Sequence, residues 1–167
     1  ATATRMNDLA SRWRNAFAAD GLLKDSTFYE GTKWNYSFRL LHDMAGRIDL
    51  AGGDAAFVNL LDRFFGSAAE PVRQPGESPS PAEMAAGGSL GRFEGLNNEP
   101  DMEAAYAYVY AGRHDRTCEI VRAGLDQCFG DTLGGMVGND DSGGMSSWYV
   151  WNALGLFPVA GQDMLLI

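Results

Sequence analysis

The chain has 167 residues, a formal net charge of −9 and 46% hydrophobic residues. That length predicts one domain, and the apolar fraction is sufficient for a packed core, which excludes wholesale disorder. The acidic balance argues against general binding to nucleic acids or anionic membranes, since both require a basic surface. The sequence has no run of about 18 apolar residues and therefore predicts no membrane span.

The two ends of the chain have the character of internal segments. The first residues, Ala1 to Met6, form neither an initiator start nor a signal peptide. The last residues, Met164 to Ile167, are an apolar run with strand character and no polar tail. We therefore expect the sequence to be a piece of a longer protein.

Apolar residues recur at helical spacing along most of the chain. The pattern predicts helices over residues 5–19, 32–50, 55–65, 100–111, 114–129 and 143–154, and a strand in the tail. Asp54 is the expected N-cap of the third helix. The expected packed face of the last helix consists of Met145, Trp148, Val150, Trp151 and Leu154. Short glycine joints between consecutive helices are typical of antiparallel hairpins, so the predicted fold class is all-α.

The two cysteines, Cys118 and Cys128, fall within one predicted helix. Their separation there is about 15 Å, which is too long for a disulfide bond. We therefore expect two ordinary, semi-buried thiols, and the cysteine content leaves the cellular compartment open.

Residues 66–91 interrupt the helical pattern. They contain four of the six prolines and little apolar periodicity. Because helices resume on both sides, this stretch is predicted to be one long loop within a single domain spanning residues 1–167. Long loops inside compact domains tend to be functional or mobile.

Polar clusters stand at three of the predicted joints, each immediately before a helix. They are Glu30-Gly31, Asn97 to Glu99 and Asn139 to Asp141. In a toroid of helical hairpins, the loops at one end of successive pairs converge on one rim. We therefore expect residues that are distant in sequence to line a single pocket.

Each cluster has a structural and a functional interpretation. A helix-start carboxylate is the commoner role for Glu30, and a general acid is the alternative, because neighbouring Phe28, Tyr29 and Trp34 would desolvate the carboxyl group. Trp34 is also a candidate platform for stacking a sugar, since it is close to Glu30 in sequence.

The turn at Asp140 and Asp141 is interpreted either as an Asx-rich helix cap or as the position of a general base. The segment Asn97-Asn98-Glu99 is interpreted either as a helix cap or as a hard-cation site, because amide and carboxylate oxygens are ligands that calcium prefers. The residues alone leave both alternatives open.

Four segments resemble, in the same order, glycoside hydrolase family 92, the calcium-dependent exo-acting α-mannosidases. They are Phe28 to Gly31 with Trp34 and Tyr36; Leu41 to Asp43 with Gly52-Gly53; Gly95 to Pro100 leading into Tyr106 to Gly112; and Gly138 to Pro158. The last segment is the most specific of the four; extended by one residue to Val159, it reads GNDDSGGMSSWYVWNALGLFPV.

The resemblance implies a partial (α/α)6 barrel, with this chain as the C-terminal portion of the catalytic domain. The N-terminal β-sandwich domain and the rest of the barrel would be missing from it. The implied activity is inverting, calcium-dependent hydrolysis of terminal α-mannosidic linkages, with α-1,2 linkages expected, in a mannose-containing glycan such as an N-glycan. The implied location is secreted or periplasmic.

The resemblance also implies roles for individual residues. Glu30 resembles the family's general acid, and Asp141 resembles the general base that activates water, with Asp140 assisting. Asn139 falls where some members carry a second acidic residue. The remaining implied roles are calcium binding by Asn98 and Glu99, and substrate binding by Trp34, Asn97, Glu99 and Asn139.

Two alternatives to an α-mannosidase remain. One is a non-catalytic helical module that binds carbohydrate or another protein through an aromatic rim. The other is a helical-toroid glycosidase with a different sugar preference, which a comparison of mannosides with glucosides would distinguish.

Overall fold

The computed structural model describes residues 2–28, 32–65, 99–136, 138 and 140–167. Their α-helices are α1 (Thr2–Ser11), α2 (Lys33–Ser37), α3 (Met44–Leu50), α4 (Asp54–Phe64), α5 (Ala107–Tyr110), α6 (His114–Cys128) and α7 (Gly144–Ala153). Short 3₁₀ helices span Arg12–Ala16, Glu99–Asp101, Ala104–Tyr106 and Asp141–Gly143. Strands β1 (Phe157–Pro158) and β2 (Leu165–Leu166) pair antiparallel, with Phe157 opposite Leu166. The predicted all-α class is confirmed, and the predicted loop over residues 66–91 lies outside the described residues.

An aromatic cluster forms the centre of the core. The Phe38 ring lies 5.1 Å from the Phe64 ring, which contacts Phe65 at 4.8 Å. Phe65 in turn stacks on Tyr108 at 6.0 Å. All of these side chains are buried, and burying each contributes about 1.5–3 kcal/mol. The cluster joins the first half of the chain to the segment that follows the 66–91 stretch.

Arg47 of α3 is buried inside this core. Its Nη2 donates to the backbone oxygens of Gly21 at 2.6 Å and Ser37 at 3.3 Å, and its guanidinium lies 4.2 Å from the centroid of the Phe17 ring. Burial lowers the pKa of Arg47 to about 10. This side chain therefore ties the end of α2 to the turn at Gly21.

The helix predicted over residues 32–50 is two helices, α2 and α3. The break between them is fixed by a distant residue, because Glu103 Oε2 accepts hydrogen bonds from Leu40 N and Arg39 Nε, each at 2.9 Å. The second helix then begins with its own cap, in which the Asp43 carboxylate accepts from Gly46 N at 2.9 Å. The prediction of one continuous helix was wrong, because the contact with Glu103 turns the chain in a different direction.

Two other predicted helices are shorter than expected. The helix predicted over 5–19 ends at Ser11 and is followed by a 3₁₀ helix, after which Phe17 pairs with Leu23 in a β-bridge. The helix predicted over 100–111 is a series of 3₁₀ turns followed by α5. The bounds of α4, α6 and α7 agree with the predictions to within a residue or two.

Two details of the predicted helices were wrong. The N-cap of α4 is Gly53, which adopts φ +94°, and Asp54 is the first helical residue. On α7, Met145 and Trp148 are buried as predicted, whereas the exposed fraction is 55% for Val150, 37% for Trp151 and 66% for Leu154. Val150 and Leu154 lie on the opposite side of the helix from Met145, because successive residues turn by about 100°.

Cys118 and Cys128 form no disulfide bond with each other, as predicted. The expected partial burial of both thiols was wrong, because Cys118 is exposed and Cys128 is buried. In the part of the chain that the structure describes, none of the helices is both long and apolar enough to cross a membrane.

Candidate functional site

The 3₁₀ helix Glu99–Asp101 is held on one side by α2. Asn35 Nδ2 donates to both carboxylate oxygens of Asp101, at 3.1 Å each, and both residues are buried. Asn35 Oδ1 also accepts from the backbone N–H of Thr32 at 2.7 Å, while Thr32 Oγ1 accepts from the backbone N–H of Asn35, which completes a capping box. The segment that directly follows Glu30-Gly31 is therefore fixed against the segment that contains Glu99.

The same 3₁₀ helix is held on its other side by the start of α7. A Cβ atom added at Gly144 would lie 3.0 Å from Glu99 Oε1 and 3.6 Å from Met102 Sδ, so the Glu99 carboxylate lies directly against the Gly144 backbone. One turn further along α7, Trp148 Nε1 donates to the backbone oxygen of Met102 at 3.0 Å. The joint at Asp140-Asp141, which directly precedes α7, is therefore adjacent to Glu99.

Deeper contacts fix the rest of α7. The Tyr106 hydroxyl donates to the Asn152 side chain, and the Tyr106 ring stacks on Phe157 with centroids 4.1 Å apart. Burial raises the pKa of Tyr106 above its ordinary range, so this hydroxyl remains a hydrogen-bond donor across the physiological range. These contacts give the turn before α7 a rigid support.

Asp140 caps α7 from outside the helix. Its carboxylate accepts from Ser146 N at 2.8 Å and from Ser146 Oγ at 2.7 Å. The Ser146 backbone N–H, and then its hydroxyl, lower the pKa of Asp140. Both carboxylate oxygens of Asp140 are therefore engaged in fixing the turn.

The turn carries backbone strain between Asp140 and the helix. Ser142 adopts φ +55°, the only described non-glycine residue at positive φ, and Gly143 follows with φ +77°. For a residue with a Cβ atom, the left-handed region costs about 1–2 kcal/mol. Such strain is characteristic of turns that position a neighbouring group. Here that neighbour is Asp141, which is exposed and, within the described residues, accepts no hydrogen bond on its carboxylate.

The predicted site residues divide into two sets. The described ones are Trp34, Glu99, Asp140 and Asp141, and the ones that lie outside the described residues are Glu30, Asn97, Asn98 and Asn139. Of the described set, Glu99 and the Asp140-Asp141 turn are brought together at the start of α7. Trp34 is partly buried against the core, with its ring 6.3 Å from Phe38 and 5.0 Å from Arg63 Cζ.

A cavity of about 430 Å³ lies between α7 and the segment that follows α6. Its lining consists of Phe129, Gly130, Asp131, Gly135, Met136, Ser146, Tyr149 and Val150. Its volume falls within the range of ligand sites, but neither Asp141 nor Glu99 lines it. We therefore place the candidate site at Glu99 and Asp141 and not in this cavity.

Three residues of this site were missed in the sequence. Asp101 anchors Asn35, Ser146 anchors Asp140, and Gly144 leaves room for the Glu99 carboxylate. The sequence carries a signal for one of them, because a serine at the third position of a helix is well placed to donate to a preceding aspartate. The other two depend on contacts between distant segments.

Comparison with known proteins matches the chain to the glycosyl hydrolase family 92 catalytic domain over residues 2–167. A curated relative from Arthroderma benhamiae, named "Uncharacterized secreted glycosidase", is 32% identical over 139 residues. The match covers 83% of this chain and 15% of the relative.

A family 92 α-mannosidase from Bacteroides thetaiotaomicron, solved in complex with mannoimidazole, is similar in structure. The TM-score is 0.62 at 29% sequence identity, and the match covers 86% of this chain and 19% of that one. The chain thus spans less than a fifth of the length of either relative. Because the family match extends over nearly its whole length, the chain belongs to glycosyl hydrolase family 92.

Proposed function

We propose that this chain is part of a glycoside hydrolase that removes terminal α-linked mannose from a glycan. Membership of family 92 and the likeness to a solved α-mannosidase support this proposal. The observation that carries it is the pair of contacts at Glu99–Asp101. Asn35 links this segment to the joint that follows Glu30, and Gly144 links it to the joint that contains Asp141.

The proposed acid is Glu30, and the proposed base is Asp141. In an inverting hydrolase, the acid protonates the leaving oxygen while the base takes a proton from a water molecule on the opposite face of the sugar. The exposed Asp141 carboxylate is available to a water molecule, because Asp140 and not Asp141 makes the hydrogen bonds that hold the turn. Inversion requires the two carboxyl groups to be about 6.5–9.5 Å apart.

Asp140 supports the base by position. With both of its oxygens bound to Ser146, it holds the turn on which Asp141 stands. We therefore assign Asp140 as a positioning residue. Asn139, Asn97 and Trp34 contribute to the sugar site in the same proposal.

The residue types of Asn98 and Glu99 fit a calcium ion in their chemistry. Glu99 offers a carboxylate and Asn98, its neighbour in sequence, an amide oxygen, which are the hard ligands that calcium prefers. Among the described residues, no group of three or more His, Cys, Asp or Glu side chains is close enough to hold a metal, so further ligands would come from the rest of the protein or from the sugar. When bound, calcium would polarise sugar hydroxyls and favour the charge that develops on the ring.

The proposal includes the surroundings of the site. The hairpins described here would form the C-terminal portion of an (α/α)6 barrel, completed by preceding helices and a β-sandwich domain. The preferred linkage is proposed to be α-1,2 in a mannose-rich N-glycan. The proposed location is secreted or periplasmic, and the relative from Arthroderma benhamiae, whose name describes it as secreted, supports the first of these.

The test uses the full-length protein with terminal α-mannosides and the matching α-glucosides. We expect hydrolysis of α-1,2-mannobiose, loss of activity on chelation, recovery with calcium, and β-mannose as the first product seen by proton NMR. Release of α-mannose first would contradict the inverting roles. Absence of hydrolysis on every mannoside, with glycan binding retained, would favour a carbohydrate-binding module instead.

A further inference from the structure

The exposed face of α6 carries a pair of side chains that the proposed hydrolase site does not use. His114 and Cys118 are four residues apart on one helix, so their side chains lie one above the other. Cys118 Sγ lies 3.6 Å from His114 Nε2, and both residues are exposed. The pair therefore presents a thiol sulfur and an imidazole nitrogen to solvent, side by side.

The distance between the two donor atoms is the one that a tetrahedral metal requires. Zinc binds thiolate sulfur at about 2.3 Å and imidazole nitrogen at about 2.0–2.1 Å, and a tetrahedral angle between those bonds places the two donors about 3.5–3.6 Å apart. The 3.6 Å separation of Cys118 Sγ and His114 Nε2 therefore matches the donor spacing of a tetrahedral site. The same distance also fits a hydrogen bond between the sulfur and the ring nitrogen when no metal is bound.

The acidic residues next to the pair are engaged by arginines, so the pair is a two-ligand site. Asp115 is bound by Arg113, with bonds of 2.8 and 2.7 Å, and Glu119 is bound by Arg116 at 2.7 Å. In the part of the chain that the structure describes, no third metal-binding side chain joins the pair. The remaining coordination positions would be taken by water, and the net charge of −9 favours the approach of a cation.

We propose that His114 and Cys118 form a surface site for thiophilic divalent cations of the zinc class. On binding, a metal–sulfur bond replaces the sulfur–hydrogen bond, and the thiol proton passes to the buffer. His114 Nε2 donates its lone pair, which requires the ring proton to be on Nδ1. The cation would link two successive turns of α6, at a site separate from the calcium-type oxygen ligands proposed for catalysis.

Cadmium is the probe, since its thiolate complexes have an ultraviolet charge-transfer band that reports sulfur coordination directly. The full-length protein is titrated alongside Cys118→Ser, His114→Ala and His42→Ala. His42 is the other histidine of this chain, is exposed, and serves as the matched control. Circular dichroism establishes that each variant retains its helical content.

We expect Cys118→Ser to lose one equivalent of thiolate-bound cadmium and His114→Ala to bind it at least about tenfold more weakly, while His42→Ala behaves as the parent. Equal affinity in His114→Ala and the parent would mean that the thiol binds alone, which overturns the chelate. An unchanged band in Cys118→Ser would overturn the site altogether. Neither result depends on mannosidase activity, so failure here and failure of the proposed hydrolase are distinguishable.

Discussion

The carboxylate of Glu99 lies against the backbone of Gly144, so close that a methyl group at Gly144 would be 3.0 Å from Glu99 Oε1. This approach joins the segment before α5 to the first turn of α7. It also makes residue 144 sensitive to size, because a side chain there would require the Glu99 carboxylate to shift by a few tenths of an ångström. The packing of this site therefore depends on glycine at position 144 as well as on hydrogen bonds.

Gly144→Ala is expected to separate activity from stability. Gly144 has helical dihedral angles, with φ −60°, and alanine is favoured over glycine in helices by up to about 1 kcal/mol, so the domain should remain folded. Displacement of the Glu99 carboxylate should nevertheless weaken calcium activation and lower kcat/KM by at least about tenfold. Steady-state kinetics at several calcium concentrations measures this effect. Ser147→Ala, at an exposed position of the same helix, is the control; equal kinetics in both variants would contradict the role of Gly144.

Asn35→Ala should destabilise the domain by about 2 kcal/mol, because two buried hydrogen bonds to the Asp101 carboxylate are lost. The capping box at Thr32 is lost with it, so the joint that contains Glu30 is released and kcat should fall as well. Thermal unfolding and kinetics on the same preparation measure both effects. The exposed Asn15→Ala is the control. A variant with parental stability and parental kcat would show that this link is dispensable.

Asp140→Ala should lower the melting temperature in a pH-dependent manner. Hydrogen bonds from Ser146 lower the pKa of Asp140 in the folded protein, so its contribution to stability is present above the ordinary aspartate value of about 3.9. That contribution is lost as the pH falls through the lower folded value. The deficit relative to the parent protein should therefore be full at neutral pH and shrink in acid. Asp163→Ala, an exposed acid elsewhere, should show no such trend; a deficit independent of pH would contradict the assignment.

Asp141→Asn should reduce turnover by about 10²–10⁴-fold, the usual contribution of a general base. The loss should be similar for mannobiose and for an activated aryl mannoside, because water must be deprotonated in both reactions. Added azide, which needs no deprotonation, should restore part of the rate and give the inverted azide product. Asp131→Asn, at a residue that lines the neighbouring cavity, is the control variant. Turnover within a few-fold of the parent would remove Asp141 from the mechanism.

Glu30→Gln should depend on the leaving group. Turnover of mannobiose should fall by about 10²–10⁴-fold, since its leaving oxygen must be protonated. A dinitrophenyl mannoside should lose much less, because its leaving group departs as an anion. The exposed Glu119→Gln controls for the loss of an acid elsewhere. An equal loss on both substrates would contradict a general acid at this position.

The sequence allowed prediction of helices whose packing is local. The periodicity of α6 and the apolar run of α7 sufficed for their bounds. The sequence did not allow prediction of the break between α2 and α3. That break depends on Glu103, which lies 63 residues beyond Leu40 in the chain. Helical propensity carries no information on such a contact.

The candidate site was predictable in part for the same reason. Polar clusters at helix joints marked Glu99 and Asp141, since local sequence places both before a helix. The residues that bring the joints together were not predictable. Asp101 meets Asn35 across 66 residues, and the requirement for glycine at 144 exists only because Glu99 packs there.

The most direct test is the distance between the Glu30 and Asp141 carboxyl carbons in a crystal structure of the full-length protein. We expect about 6.5–9.5 Å, with both groups facing a common sugar site beside Glu99. Carboxyl groups at opposite ends of the helical stack would contradict the proposal that these joints form one hydrolase site.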